Sequence, residues 1–406
     1  MTVGNSTIEV PKSAVGAAPF RFKGAGFSSP FHSSLRTLCL FLCALCVTSF
    51  FFPPACAQNL DKPLQSIDEE VTGFGFGPDG RIAYSVYHNL KTKKYDLEHD
   101  DIWLQEPGGK RRRLLEGQKY TRGNKLFSYL VDSFRFSPNG RIILVQLLTT
   151  TIDDEDSRGQ DTFETLLLDD SGHEVRVAKG ENVIPDAANA AVLPDNNTIA
   201  YLSQVMKSLP LFAMKNTRLS SGTFPSPYEG RTFRDVAWLP GMNFAVAVEQ
   251  DRAMTGPPRL QSLDILNDAD KELATLDGFE GGLSVSPSRT KVAYFIDREV
   301  LEVRSLSHPD QVSRARIGLG VYRWSPEESR ILLKRSPEKK SGDLVWIDLP
   351  PLATTAQGKE IPVSQPQPVQ LFHGLSFREF GISPDGRLLG VVVPGKRNLL
   401  MFPLYR

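Results

Sequence analysis

From Gln58 to Arg406 the chain contains no cysteine. All four cysteines, Cys39, Cys43, Cys46 and Cys56, fall in one N-terminal stretch. Disulfide staples and thiolate metal sites are therefore excluded from the body of the protein. Neither sign of charge is in surplus: Lys+Arg and Asp+Glu are both 47, for a formal net charge of zero. That balance excludes the basic excess of a nucleic-acid binder. Histidine is sparse. His88, His99, His173, His308 and His373 are scattered without metal-ligand spacing and read as isolated surface residues. No Gly-x-Ser-x-Gly occurs, so no nucleophile elbow is present.

Long apolar runs are also missing, with one exception, Thr37 to Phe52 (TLCLFLCALCVTSFFF). Arg21, Lys23 and Arg36 precede it, Pro53 and Pro54 break it, and Ala55-Cys56-Ala57 follows. A basic flank, an apolar core and a small-x-small site, here Ala55 and Ala57, make a secretory signal peptide with a long leader. An uncleaved membrane anchor is the alternative, for which the run is short. Removal of residues 1–57 takes Lys12, Arg21, Lys23, Arg36 and Glu9 with it. Forty-three basic residues then face 46 acidic ones, a net charge of −3. The expected organisation is a signal segment over 1–57 and a single domain over 58–406, in a periplasmic or secreted protein that meets the membrane only through the signal before cleavage.

What the body does have is a repeat. A short strand, a proline-containing turn and an apolar strand recur seven times. The turn prolines are Pro78, Pro138, Pro194, Pro240, Pro287, Pro326 and Pro384, spaced irregularly at about 50 residues, within the range of propeller blades. Proline presets φ at the first turn position, and the Asn/Asp-Gly that often follows tolerates positive φ, so each turn reverses the chain between antiparallel strands. Before the turn, apolar residues alternate with small or polar ones. Phe134 and Phe136 flank Arg135; Tyr322 and Trp324 flank Arg323. Period two with one apolar face is the pattern of a strand.

A third strand follows each pair, as in DIWLQE (101–106) and DLVWIDL (343–349). A weaker fourth follows in most copies, as in RRLLEG (112–117) and HEVRVAKG (173–180). Four strands in seven copies predict an all-β, seven-bladed β-propeller, with six blades as the alternative and a pair of β-sandwiches as the competitor. The last copy stops after its third strand. Lys62–Ile67, just ahead of the first copy, is the expected fourth strand of the last blade.

GPDG at 77–80, SPNG at 137–140 and SPDG at 383–386, the apolar strands after them, and Asp101-Ile102-Trp103 together resemble the repeats of TolB-type propellers, bacterial relatives of tryptophan–aspartate (WD) repeat proteins. The resemblance spans nearly all of residues 60–406. It implies export, seven or six blades, and binding through loops or the central channel. The peptidase-attached kind of that family is not the expectation, since no Gly-x-Ser-x-Gly occurs in the sequence.

Three sets of side chains are candidates for chemistry. Five residues before the turn prolines stand Ser133, Asn189, Asp235 and Glu379, which would face the channel. Asp235, Glu379 and Asn189 are oxygen ligands of the kind a metal-dependent hydrolase or lactonase uses, but too few for an oxygen-ligated cation. Solvation of the channel, or pairing with Arg135 and Arg323, is the expectation. Two acidic loops, one with Asp100 and Asp101 and one with Asp153, Asp154 and Asp156, would lie side by side on one face as a docking surface, with calcium a secondary option. The run Lys110–Arg113 reads as a solvated edge that discourages strand pairing. The function expected is a non-enzymatic scaffold for an envelope protein or cell-wall polymer, without nucleic acid or resident cofactor. The alternative is the channel-mouth hydrolase.

The signal reading is checked by the mass of the exported product. It should begin at or next to Gln58 and carry no thiol; a retained cysteine overturns it.

Overall fold

The computed structural model describes residues 62–404 apart from 92–95, 118–125, 153–159, 178–182, 206–209, 220–221, 225–227, 240, 336–342, 355–360, 373–376 and 394. The signal segment, with Ala55 and Ala57, lies outside the described residues. So do Pro240 and the acidic run Asp153, Asp154 and Asp156.

The described strands form five sheets, two of them eight-stranded, and divide by their repeat into seven antiparallel units of four, the blades. Blade 1 is Val71–Phe76, Ile82–Lys91, Asp96–Gln105 and Arg111–Leu115. Blade 2 is Leu126–Phe136, Ile142–Ile152, Gln160–Asp169 and Val183–Pro185. Blade 3 runs from Ala187–Val192 through Thr198–Gln204 and Phe212–Arg218 to Gly222–Phe224. Blade 4 has Phe233–Trp238, Phe244–Glu249, Arg259–Asp264 and Ala269–Thr275. Blade 5 has Gly281–Val285, Lys291–Phe295, Val300–Ser305 and Gln311–Arg316. Two short segments, Ala353–Thr354 and Val363–Ser364, lie on its outer edge. Blade 6 is Val321–Trp324, Arg330–Lys334, Leu344–Asp348 and Val369–Gln370. Blade 7 has Glu379–Ile382, Leu388–Val392 and Leu399–Pro403, and its fourth strand is Gln65–Ile67, paired antiparallel through Gln65↔Met401, Ser66↔Leu400 and Ile67↔Leu399. The closing strand is the one the incomplete last repeat calls for.

The turn chemistry explains why the repeat folds alike in each copy. In SPDG, the Gly386 N–H donates to the Ser383 carbonyl at 2.8 Å, the Leu388 N–H to Ser383 Oγ at 2.9 Å, and the Arg387 N–H to Asp385 Oδ1 at 3.1 Å. Gly386 sits at φ 70°, where glycine carries no Cβ penalty. SPNG repeats the arrangement with Ser137, Asn139 and Gly140. In the decayed motifs the same left-handed position is held by Asn196, Arg289 and Glu328, at φ 50°, 64° and 58°.

Packing is between blades. Seven apolar clusters fill the seven seams. In blade 2, Ile143, Val145 and Leu147 pack toward blade 1 on Ile102 and Leu104. Leu144, on the other face of the same strand, packs toward blade 3 on Ile199 and Tyr201. The second strands are thus buried on both faces, which accounts for their continuous apolar runs. The last seam joins Val392, Leu399 and Met401 of blade 7, with Ile67, to Val71, Ile82 and Tyr84 of blade 1. Some approaches are backbone-close: a Cβ on Gly75 would stand 2.8 Å from that of Phe134, so glycine is required there.

Fourth strands are where sequence and structure differ. The described part of the expected strand over 173–180 holds only bridging contacts such as Leu168↔Glu174, and Val183–Pro185 pairs with Glu164–Leu166. Blade 3 gains Gly222–Phe224, three residues with no apolar alternation to mark them.

Closure is testable at Ile67, which is 1% exposed. Ile67→Ala should cost about 2–4 kcal/mol in urea unfolding, as large-to-small core changes do. Leu64→Ala, at a side chain 64% exposed, should change stability by less than about 0.5 kcal/mol. Equal effects would show that the closing strand is not part of the cooperative ring.

Candidate functional site

The first strands of blades 2 to 7 wall a central cavity of about 1060 Å³. It reaches from Glu280 and Leu319, at the starts of those strands, to Pro287, Pro326 and Pro384 at their turns. Ser133, Asn189 and Asp235 line it, as their position before the turn prolines predicts, whereas Glu379, expected with them, is not among its lining residues.

In blades 1 to 5 the pairing of the first two strands shifts register near that position, for instance between Val131 and Ser133 and between Phe233 and Asp235. Such a bulge leaves backbone groups without ladder partners, and buried ones must be satisfied. Side chains from the neighbouring blade or strand do so. Gln146 Nε2 donates to the Ala187 carbonyl at 2.7 Å. Asn189 Nδ2 donates to the Val236 carbonyl at 2.7 Å, while the Trp238 indole N–H donates to the Asn189 carbonyl at 2.6 Å. Asp235 accepts the Val236 N–H at 2.8 Å and, across the seam, the Leu283 N–H at 3.3 Å. The Tyr322 hydroxyl donates to the Gly282 and Ala293 carbonyls at 2.6 and 2.8 Å. Asn189 and Asp235 are thus occupied as stitches between blades. Among the described residues no three His, Cys, Asp or Glu side chains converge as a cation site.

The charged side chains Asp132, Arg135, Arg323 and Glu379 are solvent-exposed and Asp235 is half-buried, yet the surrounding protein desolvates them in part. Burial pushes Asp235 up to about 6 and also raises Asp132 and Glu379. Burial lowers Arg323, and lowers Arg135 to about 10 with the Arg323 charge adding to the fall. The arginines do not pair as expected: among the described residues neither has a carboxylate within 4.0 Å. Arg323 Nη1 donates to the Tyr322 carbonyl at 2.9 Å and its guanidinium lies 5.6 Å from the Phe380 ring centre.

The docking surface expected at Asp100 and Asp101 is corrected by the structure. Both lie in the third strand of blade 1, 0% and 4% exposed. The hairpin extends its ladder outward to Lys91↔Asp96, so these residues fall within the sheet rather than in the loop. Asp100 Oδ2 accepts the Thr72 hydroxyl at 2.9 Å and the Val131 N–H at 2.8 Å, joining blades 1 and 2. Burial raises its pKa to about 6. Asp101 accepts the Gly117 N–H at 2.8 Å and pairs with Arg113 at 3.2 Å. His99 is likewise buried, 5% exposed, edge-on to the Tyr129 ring. The Lys110–Arg113 run is more engaged than a solvated edge: Arg111 pairs with Glu69 at 3.0 Å, and Arg112 Nη2 donates to the Asp170 carbonyl of blade 2.

Sequence reasoning missed the rim. Phe163, Leu319 and Val321 line the mouth at 46%, 38% and 41% exposure. Val205 and Met254 are exposed on the same face, where second strands end and third strands begin. Single apolar residues carry no sequence signal of exposure; only the topology gathers these.

The chain is similar to a chain of the crystal structure titled mitotic checkpoint complex, with 12% identity and a TM-score of 0.52 over 95% of this chain and 99% of that one. The fold is a WD-repeat-like β-propeller. The propeller domain of Myceliophteria thermophila Cps50 (Swd1) also matches, at 12% identity and a TM-score of 0.46, over 84% of this chain and 100% of that one. No protein-family model and no curated protein matches the chain. At 12% identity the likeness of this propeller to the first of these carries its fold alone.

Asp100 gives a pH test. Its folded pKa, about 6, lies above its ordinary 3.8, so the fold penalises the ionised form. The penalty is absent below about pH 4 and complete above about pH 6. Between pH 7 and pH 4.5, wild type should gain about 1–3 kcal/mol relative to Asp100→Asn in urea unfolding. Asp100→Ala should lose about 1–3 kcal/mol at pH 7, since the Val131 N–H and Thr72 hydroxyl lose their acceptor. Parallel pH slopes for wild type and Asp100→Asn would refute the first expectation.

Proposed function

We propose that this propeller is an exported, non-enzymatic scaffold of the TolB-like kind that docks a protein partner on the face carrying the channel mouth. The observation that supports the reading best is the apolar rim. Phe163, Leu319 and Val321 surround an opening whose interior is charged. Exposed apolar side chains gathered round a concave centre are the anatomy of an interaction surface. The closed ring supplies the other requirement, a rigid frame on which such residues hold their positions without ordering cost. Export rests on the basic flank, apolar core and Ala55-Cys56-Ala57 of the leader. Cell-wall polymer is the second class of partner that an exported ring of this kind could hold, and the same experiment separates the two.

The test uses the mature chain, immobilised and offered its own envelope fraction. A protein retained by wild type and by Leu64→Ser, but lost by Phe163→Ser/Leu319→Ser/Val321→Ser, is the expected result, with a loss of about 2 kcal/mol or more of binding if the rim is the hot spot. Retention of the same protein by the triple variant would remove the rim from the site. Retention of glycan alone would assign the surface to polymer.

A further inference from the structure

The outer strand of a propeller blade has one free side, which is open to pairing with another chain unless something blunts it. Three devices do so here. Among the described residues the outer strands of blades 2, 3, 6 and 7 are only two or three residues long. Those of blades 1 and 4, Arg111–Leu115 and Ala269–Thr275, are longer but carry charge along the edge, in Arg111, Arg112 and Arg113 and in Asp270, Lys271 and Glu272. Blade 5 has the length without the free charge. Its outer strand Gln311–Arg316 has Val312, Ser313 and Ala315 buried. Its two arginines are committed within the blade, Arg314 Nε to Glu302 Oε2 at 2.9 Å and Arg316 Nη1 to Glu299 Oε2 at 3.2 Å. Among the described residues it is also the one outer strand paired on its far side. The cover comes from blade 6, between Leu344–Asp348 and Val369–Gln370. Ala353–Thr354 lies antiparallel to the edge through Gln311↔Thr354 and Val312↔Ala353, and Val363–Ser364 lies parallel to it through Arg314↔Val363 and Ala315↔Ser364. Ser364 Oγ donates to the Arg314 carbonyl at 3.1 Å, and Leu352 packs on the seam between blades 5 and 6. The edge thus accepts strands of either direction, and its cover is short, with Ala353, Thr354 and Val363 exposed.

We propose that the outer edge of blade 5 is a strand-accepting site, guarded by Ala353–Thr354 and Val363–Ser364, and that a second copy of the chain pairs there when the guard is lifted. A two-fold axis through Ser313 makes the strand its own antiparallel partner. Val312 then stands opposite Arg314, Gln311 opposite Ala315, and Asp310 opposite Arg316. No like charges face each other in that register, and the Asp310 and Arg316 pairs at its two ends are complementary. Shifting the axis to Arg314 would set two arginines face to face, so the Ser313 register is preferred. The ring itself is untouched by the exchange, because the guard lies outside the four-strand repeat. The docking rim lies at the channel mouth, away from this outer edge.

The test is the mass in solution, by light scattering, of the mature chain and of Ala353→Pro/Thr354→Pro/Val363→Pro/Ser364→Pro, which removes the N–H donors of the guard. Wild type should stay a monomer at about 100 μM, and the variant should form a dimer with a Kd on the order of 10 μM. Thermal melting controls for folding. Val363→Pro/Ser364→Pro opens the parallel half alone; it should give the same dimer at lower affinity, and it stands in if the fourfold variant does not melt cooperatively. Asp310→Lys, added to either variant, sets lysine against Arg316 in both symmetric pairs and should weaken the dimer by about fivefold or more. Lys271→Glu, on the edge of blade 4, should leave it unchanged. A variant with the guard lifted that remains a monomer at about 100 μM overturns the proposal, and so does a wild type that dimerises as readily as the variant. A dimer indifferent to Asp310→Lys, or one weakened by Lys271→Glu, overturns it equally, because the pairing then lies on another surface.

Discussion

A blade of this protein cannot bury its own apolar surface, and that constraint governs the rest of the structure. Each four-stranded sheet is apolar on both faces, as Leu144 on one side and Ile143, Val145 and Leu147 on the other show. Every sheet therefore needs two neighbours, and a row of such sheets is satisfied only when it closes. Three strands, Glu379–Ile382, Leu388–Val392 and Leu399–Pro403, come from the end of the chain, and the fourth comes from Gln65–Ile67. The pairing brings Ile67 onto the seam with blade 1 and ties the ring at the point where the chain itself is not continuous. Arg397 adds to the tie, its carbonyl accepting the Val71 N–H at 2.9 Å and its guanidinium pairing with Glu70 at 2.6 Å.

Closure has a polar consequence at the centre. Apart from the single pairs His99↔Tyr129 and Phe212↔Phe233, which join blades 1 and 2 and blades 3 and 4, first strands have neighbours on one side only, and their free edge faces the channel. Where they bulge, their N–H and C=O groups look for partners across the seam. Gln146, Asn189, Asp235 and Tyr322 supply them. Asp100 does the same for Val131 from a strand farther out, and Lys334 Nζ donates to the Arg378 carbonyl between blades 6 and 7. These side chains differ in type because each blade bulges differently, yet their task is shared. Polar residues near a channel are thus accounted for by backbone satisfaction before any chemistry is invoked.

That is also why the sequence told the fold more readily than the site. The turn motif is local: serine, proline, Asp or Asn and glycine fix one another's geometry within six residues, so the seven copies and the closing strand could be read directly. Asp100 is the opposite case. In sequence it belongs to an acidic loop beside Glu98 and Asp101; in the fold it is buried because the blade 1 hairpin continues its ladder to Lys91 and Asp96, and because Thr72 and Val131, about 30 positions away on either side, come to meet it. No local pattern encodes those partners. The rim residues escaped for a similar reason. Phe163, Leu319 and Val321 sit in apolar alternation like core residues, and only the ends of the strands, where no neighbouring blade covers them, leave them open.

Arg135 and Arg323 stand apart from both groups. They are not used as stitches: the polar contact Arg323 makes is to the carbonyl of the residue before it. Nor are they rim residues: they line the cavity below the mouth, with side chains exposed to its solvent. Carboxylates lie in the field of each, Asp235 and Asp132 at Arg135 and Glu379 at Arg323, so the two signs of charge offset each other there. Both stand three residues before a turn proline, and the small residues at the other five positions of that level, Gly75, Ala191, Ala237, Ser284 and Gly381, leave room for the two long side chains. Closure fixes the backbone at that level but not the side chains that face the open channel, which is why two positions of the seven carry arginine where the rest carry glycine, alanine or serine.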